Sequence, residues 1–146
     1  MARQFAVEDG NLQTRSIITS RTVNYKDIDL TLAKKANNDI FKKEDAAAVK
    51  QAVKNILMTN PGEKPFRPFY GAGLNRFLFE LSEGIEEDEI QDAVAEALSR
   101  DEPRAALLGV KATVDPDNNS VRVRVAFRVL STSTVEEISI DLTRLR

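Results

Sequence analysis

Cysteine and histidine are both absent from the 146 residues, and each absence closes off chemistry. Without cysteine there is no disulfide framework, no thiolate nucleophile and no sulfur-ligated metal, a composition that suits a reducing compartment. Without histidine the commonest general base, the Ser-His and Cys-His pairings and the usual zinc ligand all disappear together. Any catalysis would fall to carboxylates or lysines, and no cofactor is expected. Apolar runs are short: none approaches the ~20 residues of a membrane span. The N-terminal stretch Ala2 to Asp9 lacks the apolar core of a signal peptide, so the chain reads as soluble and intracellular when made. An excess of one charge is missing too. The 21 basic and 23 acidic residues leave a net charge of −2, too little to draw the chain onto nucleic acid or anionic lipid. Partners must be found by local shape.

The length suits one domain, since a folded chain of this size removes roughly 70% of its extended surface from water. Residues 1–24 are polar, rich in Ser, Thr and Arg, with scattered Ile17, Ile18 and Val23, and read as an extended arm. From Tyr25 onward, residues 25–146 read as a single domain. Ile28, Leu30 and Leu32 alternate with Asp27, Asp29 and Thr31, the period-2 signature of a half-buried strand. The turn-prone Asn37-Asn38-Asp39 predicts a hairpin that returns through Ile40 and Phe41. Asp45 is placed to N-cap a helix that begins Ala46-Ala47-Ala48. Val49, Ala52, Val53, Ile56 and Leu57 share one face of it, with Lys50, Gln51, Lys54 and Asn55 turned away.

Asn60-Pro61-Gly62 stops that helix. The loop to Gly73 carries three prolines and three glycines among Phe66, Phe69 and Tyr70, so it is expected to be stiff. Phe66, Phe69, Phe77 and Phe79 are expected to cap the core rather than to form a ligand platform. A short helix over Leu74 to Leu81 and a third over Glu86 to Arg100, with Ile90, Val94, Ala97 and Leu98 inward, complete the helical half. The acidic start of the third helix suits the positive end of its dipole. Glu102-Pro103-Arg104 ends it, because proline disfavours helix in the residue before it.

Strands dominate the rest. Leu108, Val110, Ala112 and Val114 alternate, then Val121, Val123, Val125, Phe127 and Val129, with the polar segment Asp115 to Ser120 as the turn between. A last strand presents Ile138, Ile140 and Leu142 on one face. The fold class is therefore α+β: a mostly antiparallel sheet with about three helices on one face.

The order of these pieces carries a family resemblance. Tyr25 to Leu30, the run Ala52 to Phe66, Gly71 to Leu74 followed by Leu78-Phe79-Glu80, and Glu102-Pro103-Arg104 occur together and in sequence. In this the chain resembles the baseplate wedge and sheath-initiator family of T-even-type phages, shared with contractile injection systems such as the type VI secretion baseplate. Phe69-Tyr70 departs from the family pattern, which usually has a polar or acidic residue and then an aromatic before the glycine. The resemblance implies a non-catalytic structural protein of the virion tail baseplate, present in the host cytoplasm during assembly. Its implied partners are other wedge proteins, the tail sheath subunit by strand addition, and the tail tube or hub.

Each candidate site has a plainer alternative. Glu102-Pro103-Arg104 reads as a helix-to-strand corner with a solvent-exposed ion pair worth ~0–1 kcal/mol, or, on the resemblance, as a rigid turn whose guanidinium makes directed bonds to a partner. Lys64 and Arg67 would reach a partner from the loop. The strand bearing Ile138, Ile140 and Leu142 is an edge that could accept an added strand, or an ordinary edge guarded by Glu136, Glu137, Asp141 and Arg144. Arg122, Arg124 and Arg128, joined by Lys111, form an outward stripe of the kind usually left to solvent. The carboxylates Glu80, Glu83, Glu86, Glu87, Asp88 and Glu89 would serve a muramidase only if two stood at a defined separation with one pKa raised; clustered at a helix start, they fit dipole pairing better. A free-standing adaptor that binds peptides by strand addition fits the sheet but leaves the helix-to-loop match unexplained.

Overall fold

The computed structural model describes residues 25–80, 87–115 and 117–144; the expected N-terminal arm, Glu83 and Glu86 lie outside them. Two short strands, β1 (Lys26–Ile28) and β2 (Lys42–Glu44), precede three helices, α1 (Ala46–Met58), α2 (Asn75–Glu80) and α3 (Glu87–Asp101). Three long strands follow, β3 (Ala105–Asp115), β4 (Ser120–Val129) and β5 (Val135–Thr143). They form an antiparallel sheet in the order β3-β4-β5. This is the expected α+β arrangement.

Alternation in β4 sets the layers. Val121, Val123, Val125, Phe127 and Val129 are fully buried, while Arg122, Arg124 and Arg128 stand on the opposite, exposed face. The buried face meets Val49, Val53, Ile56 and Leu57 of α1, Phe77 of α2 and Ile90, Val94, Ala97 and Leu98 of α3 in one core. Ile138 and Ile140 of β5 join the same core, with Leu142 packed against it. Burial of a Phe or Leu side chain contributes roughly 1.5–3 kcal/mol, so the inward row of β4 is the principal anchor of the helical layer.

Four local expectations change. The alternation from Ile28 to Leu32 does not make a half-buried strand: β1 is three residues long, and Ile28, Leu30 and Leu32 are all exposed. The hairpin itself forms, with Asn38 in the left-handed region at its turn and Lys35 N–H bonded to Asp39 C=O at 2.7 Å. It is held to α1 by Gln51, which is buried rather than turned away. Gln51 donates to Ile28 C=O (2.8 Å) and accepts from Leu30 N–H (3.3 Å). Asp45 occupies the N-cap position but makes no side-chain cap bond; its carboxylate accepts from Tyr25 N–H at 3.4 Å and helps tie β1 to the start of α1. In β3 a register shift between Leu107 and Gly109 turns Leu108 out to solvent, so that Leu107, Val110, Ala112 and Val114 face inward. An added residue in one strand reverses the phase of everything before it.

The end of the loop between α1 and α2 is seated on α1 for a steric reason. Gly71 has φ +101°, and a Cβ there would lie 2.2 Å from Thr59 C=O. Ala72 N–H bonds to Ile56 C=O and Gly73 N–H to Thr59 C=O, so the loop returns onto the end of α1. Gly62 shares the positive φ, at +89°, but a Cβ there would meet open space. Gly71→Ala should therefore cost well over the ~1 kcal/mol of a conformational penalty alone, and Gly62→Ala only about that. Urea denaturation of the two variants beside the parent measures the difference; equal losses would remove the close approach as the cause.

Candidate functional site

The corner after α3 is built from backbone outward. Glu102 N–H still bonds to Leu98 C=O and Ala105 N–H to Glu102 C=O, while Leu130 N–H bonds to Arg104 C=O. Pro103 has no N–H to satisfy in this turn. The Glu102 side chain is 3% exposed and is met by Arg104 in a two-pronged pair, Nε to Oε1 and Nη2 to Oε2, both 2.6 Å. The pair is thus buried on its acidic side, not a solvent-exposed bridge. Hydrogen bonding to Glu102 raises the Arg104 pKa above its ordinary value, against the opposing effect of burial. Arg104 is itself only half-buried and lies 5.2 Å from the centre of the Tyr25 ring.

Sequence reasoning placed Lys64 and Arg67 on the same loop, and the structure brings both to one aromatic ring. Lys64 Nζ sits 3.8 Å from the centre of Tyr70, and the Arg67 guanidinium 5.4 Å from it. Burial, then the charges of Asp101 and Glu102, push the Tyr70 hydroxyl pKa up; Arg67 and Arg104 oppose them. Lys64 and Arg67 therefore share the Tyr70 ring, and the charges of Glu102 and Arg104 act on its hydroxyl.

Asp101 was missed. Its side chain is 2% exposed and accepts from Gly71 N–H (3.1 Å), Arg100 (3.1 Å) and Arg67 (3.4 Å). Burial works to raise its pKa, but the Arg100 and Gly71 hydrogen bonds and the two guanidinium charges outweigh it and hold the carboxyl below its ordinary value of 3.8. A signal was present: an acid at a helix C-terminus opposes the dipole, so Asp101 needs cations or N–H donors nearby.

Ile138, Ile140 and Leu142 turn their side chains into the core and cannot offer them to a partner. What β5 offers is backbone. Arg144 N–H bonds to Asn119 C=O and Val129 N–H to Thr134 C=O, and with the β4-β5 register this places the even-numbered residues of β5 in bonding pairs with β4. The N–H and C=O groups of Glu137, Ser139 and Asp141 therefore point away from the sheet. Beside them a groove of about 520 Å³ runs between β5 and the first hairpin, lined by Leu30, Thr31, Lys54 and Ser139 among others. The opposite edge, β3, carries the register shift, and Glu87 Oε1 accepts Val114 N–H there at 3.3 Å. One edge is open and the other is encumbered.

The aromatic cap is only partly as expected. Phe77 is buried, but Phe66, Phe69 and Phe79 are 102%, 76% and 65% exposed. The arginine stripe does face outward: Arg122 pairs with Asp141 at 2.5 Å, and Lys111 stands directly across from Arg124. Of the acidic residues at the start of α3, Glu87 bonds to backbone and Asp88 accepts from Gln91. Among the described residues the carboxyls whose acidity is shifted, Asp29, Glu63, Asp101 and Asp115, are all lowered, the reverse of what a general acid needs. Among the described residues no group of three or more acidic side chains could hold a metal ion.

A depressed folded-state pKa contributes stability that is present above the unfolded value and lost as pH falls through the folded one. Asp101→Asn should cost about 1–3 kcal/mol near pH 7, and the gap between variant and parent should close below about pH 3.8. Thermal unfolding from pH 7 to pH 2.5 checks this; a gap independent of pH would mean that the Asp101 charge does not matter.

Residues 43–134 match the model of the family described as baseplate wedge protein gp25. A curated relative, baseplate wedge protein gp25 of Enterobacteria phage T4, is 27% identical over 119 residues, covering 81% of this chain and 90% of the relative. Among solved structures, a chain of the anti-feeding prophage baseplate is similar at 25% identity and TM-score 0.62, over 73% of this chain and 86% of that one. A protein from Geobacter sulfurreducens described as a tail lysozyme shares the fold, with 24% identity, TM-score 0.51, and 67% and 89% coverage. The chain belongs to the baseplate wedge protein gp25 family, and is a structural component of a phage tail baseplate rather than an enzyme.

Proposed function

We propose that the protein is a wedge subunit clamped by neighbouring wedge proteins at the Glu102–Arg104 corner and the loop beside it, and that β5 starts the first sheath ring by strand addition. The observation that carries the first half is the Glu102–Arg104 pair itself. Two of the guanidinium's N–H groups are fixed on a buried carboxylate, and the half-exposed remainder is held in a set direction for an acceptor on another chain. Pre-set geometry of this kind lowers the ordering cost of binding. Lys64 and Arg67, seated on Tyr70 a few residues away, extend the same cationic surface. The open edge of β5 and the groove alongside it support the second half, since an incoming strand needs both unpaired backbone groups and room to lie.

Two substitutions separate the halves. Arg104→Lys keeps a cation beside buried Glu102, so the variant should fold, but it loses the fork; wedge assembly with the partner proteins should weaken about tenfold, read by gel filtration and native mass spectrometry. Undiminished assembly would remove the corner from the interface. Truncation before Val135 is no test of the edge, because it deletes Ile138 and Ile140 from the core. Ser139→Pro is: it removes an outward N–H without breaking a bond to β4. The folded variant should join the wedge yet fail to nucleate ordered sheath, scored by electron microscopy; normal sheath would rule out strand addition at this edge.

A further inference from the structure

Phe69 of the loop and Phe79 of α2 face α3 across a groove of about 550 Å³. Phe69 and Phe79 form the apolar side. The other wall is a stripe along α3 in which Glu89, Asp92, Ala93 and Glu96 succeed one another at helical spacing, a run of about 10 Å. Glu89 and Asp92 have no ion-pair partner among the described residues. Glu96 reaches only the edge of Arg100, at 3.6 Å, and Arg100 is itself drawn onto buried Asp101. Arg76, the other cation lining the groove, lies over the Phe77 ring. The groove thus sets two exposed aromatic rings, one of them with Arg144 5.2 Å from its centre, against a wall in which Glu89 and Asp92 are unpaired among the described residues and Glu96 meets Arg100, with small Ala93 between. Two large rings exposed side by side are candidates for a contact surface, and Phe69 belongs to a loop fixed at Gly71.

We infer that this groove docks an amphipathic helix of a neighbouring baseplate protein, with aliphatic side chains against Phe69 and Phe79 and lysine or arginine facing Glu89, Asp92 and Glu96. This rests on the wedge reading and names a second contact for it, separate from the Arg104 corner. Helical spacing on α3 is matched by basic residues at i, i+3 and i+7 on the incoming segment, and Ala93 lets the two backbones approach.

The test uses the full chain co-expressed with the wedge proteins of its own phage, with p-benzoylphenylalanine in place of Phe79 for photo-crosslinking and native mass spectrometry for assembly. Phe79→Ser and Asp92→Lys, both at exposed positions and checked by circular dichroism, should each weaken assembly about tenfold. The crosslinked peptide should carry aliphatic and basic residues on two faces of one helix. Full assembly by both variants, or a crosslink to an acidic or extended segment, overturns the docking proposal and leaves the wedge reading standing. If the unmodified chain forms no complex with those proteins, both fall together.

Discussion

One carboxylate joins the two halves of the molecule. Asp101 ends α3, and through Gly71 N–H and Arg67 it fixes the loop that begins at the end of α1; one residue later Glu102 takes Arg104 and turns the chain into β3. A buried charge is tolerable only when paired and hydrogen-bonded, and here the pairing requirement of two adjacent acids positions the loop and the corner together. The loop cannot drift from α3 without taking Gly71 N–H and Arg67 from Asp101, which would keep only Arg100, and the corner cannot open without stranding Glu102. The cations that satisfy them, Arg67 and Arg104, are themselves half-exposed or exposed, so the same bonds that close the interior organise the surface.

The sheet was legible in the sequence because strict alternation over a long stretch, as in Val121 to Val129, has one physical meaning: one face dry, one face wet. The inward rows of α1 and α3 were legible by the same logic at helical period. Alternation misled where it was short and peripheral. Ile28, Leu30 and Leu32 alternate, yet the hairpin that carries them sits on the rim of the domain, and its attachment depends on the polar side chain of Gln51 rather than on apolar burial. Leu108 was misphased because a register shift leaves no compositional mark. Phe66, Phe69 and Phe79 were assigned to the core because hydrophobicity states that a side chain avoids water, not which chain will cover it. Of the site, the corner could be read from proline and charge, but the shared ring of Tyr70 and the role of Asp101 depend on residues some thirty positions apart.

The carboxylates gain a consistent role on this view. Acids at the start of α3 lie where the helix dipole favours them, and two of them, Glu87 and Asp88, bond to a backbone and an amide donor. Both buried acids sit beside arginines, and those at Asp101 help hold its carboxyl below the ordinary value. A muramidase would need the opposite environment, an acid kept protonated in a dry cleft. Among the described residues the carboxyls with shifted acidity, Asp29, Glu63, Asp101 and Asp115, are lowered, so none of the four offers that environment.

The outward-bonding residues of β5 also bear on solubility before assembly. Unpaired strand edges invite pairing with any available strand, including the same edge on a second copy. An antiparallel pairing of two β5 edges centred on Ser139 would set Glu137 of each copy opposite Asp141 of the other, two like-charged cross-strand pairs that repel. An incoming strand without acids at those positions meets no such barrier. Arg122, paired with Asp141, offsets part of that repulsion, so the charge pattern weights this edge against a second copy in that register without closing it.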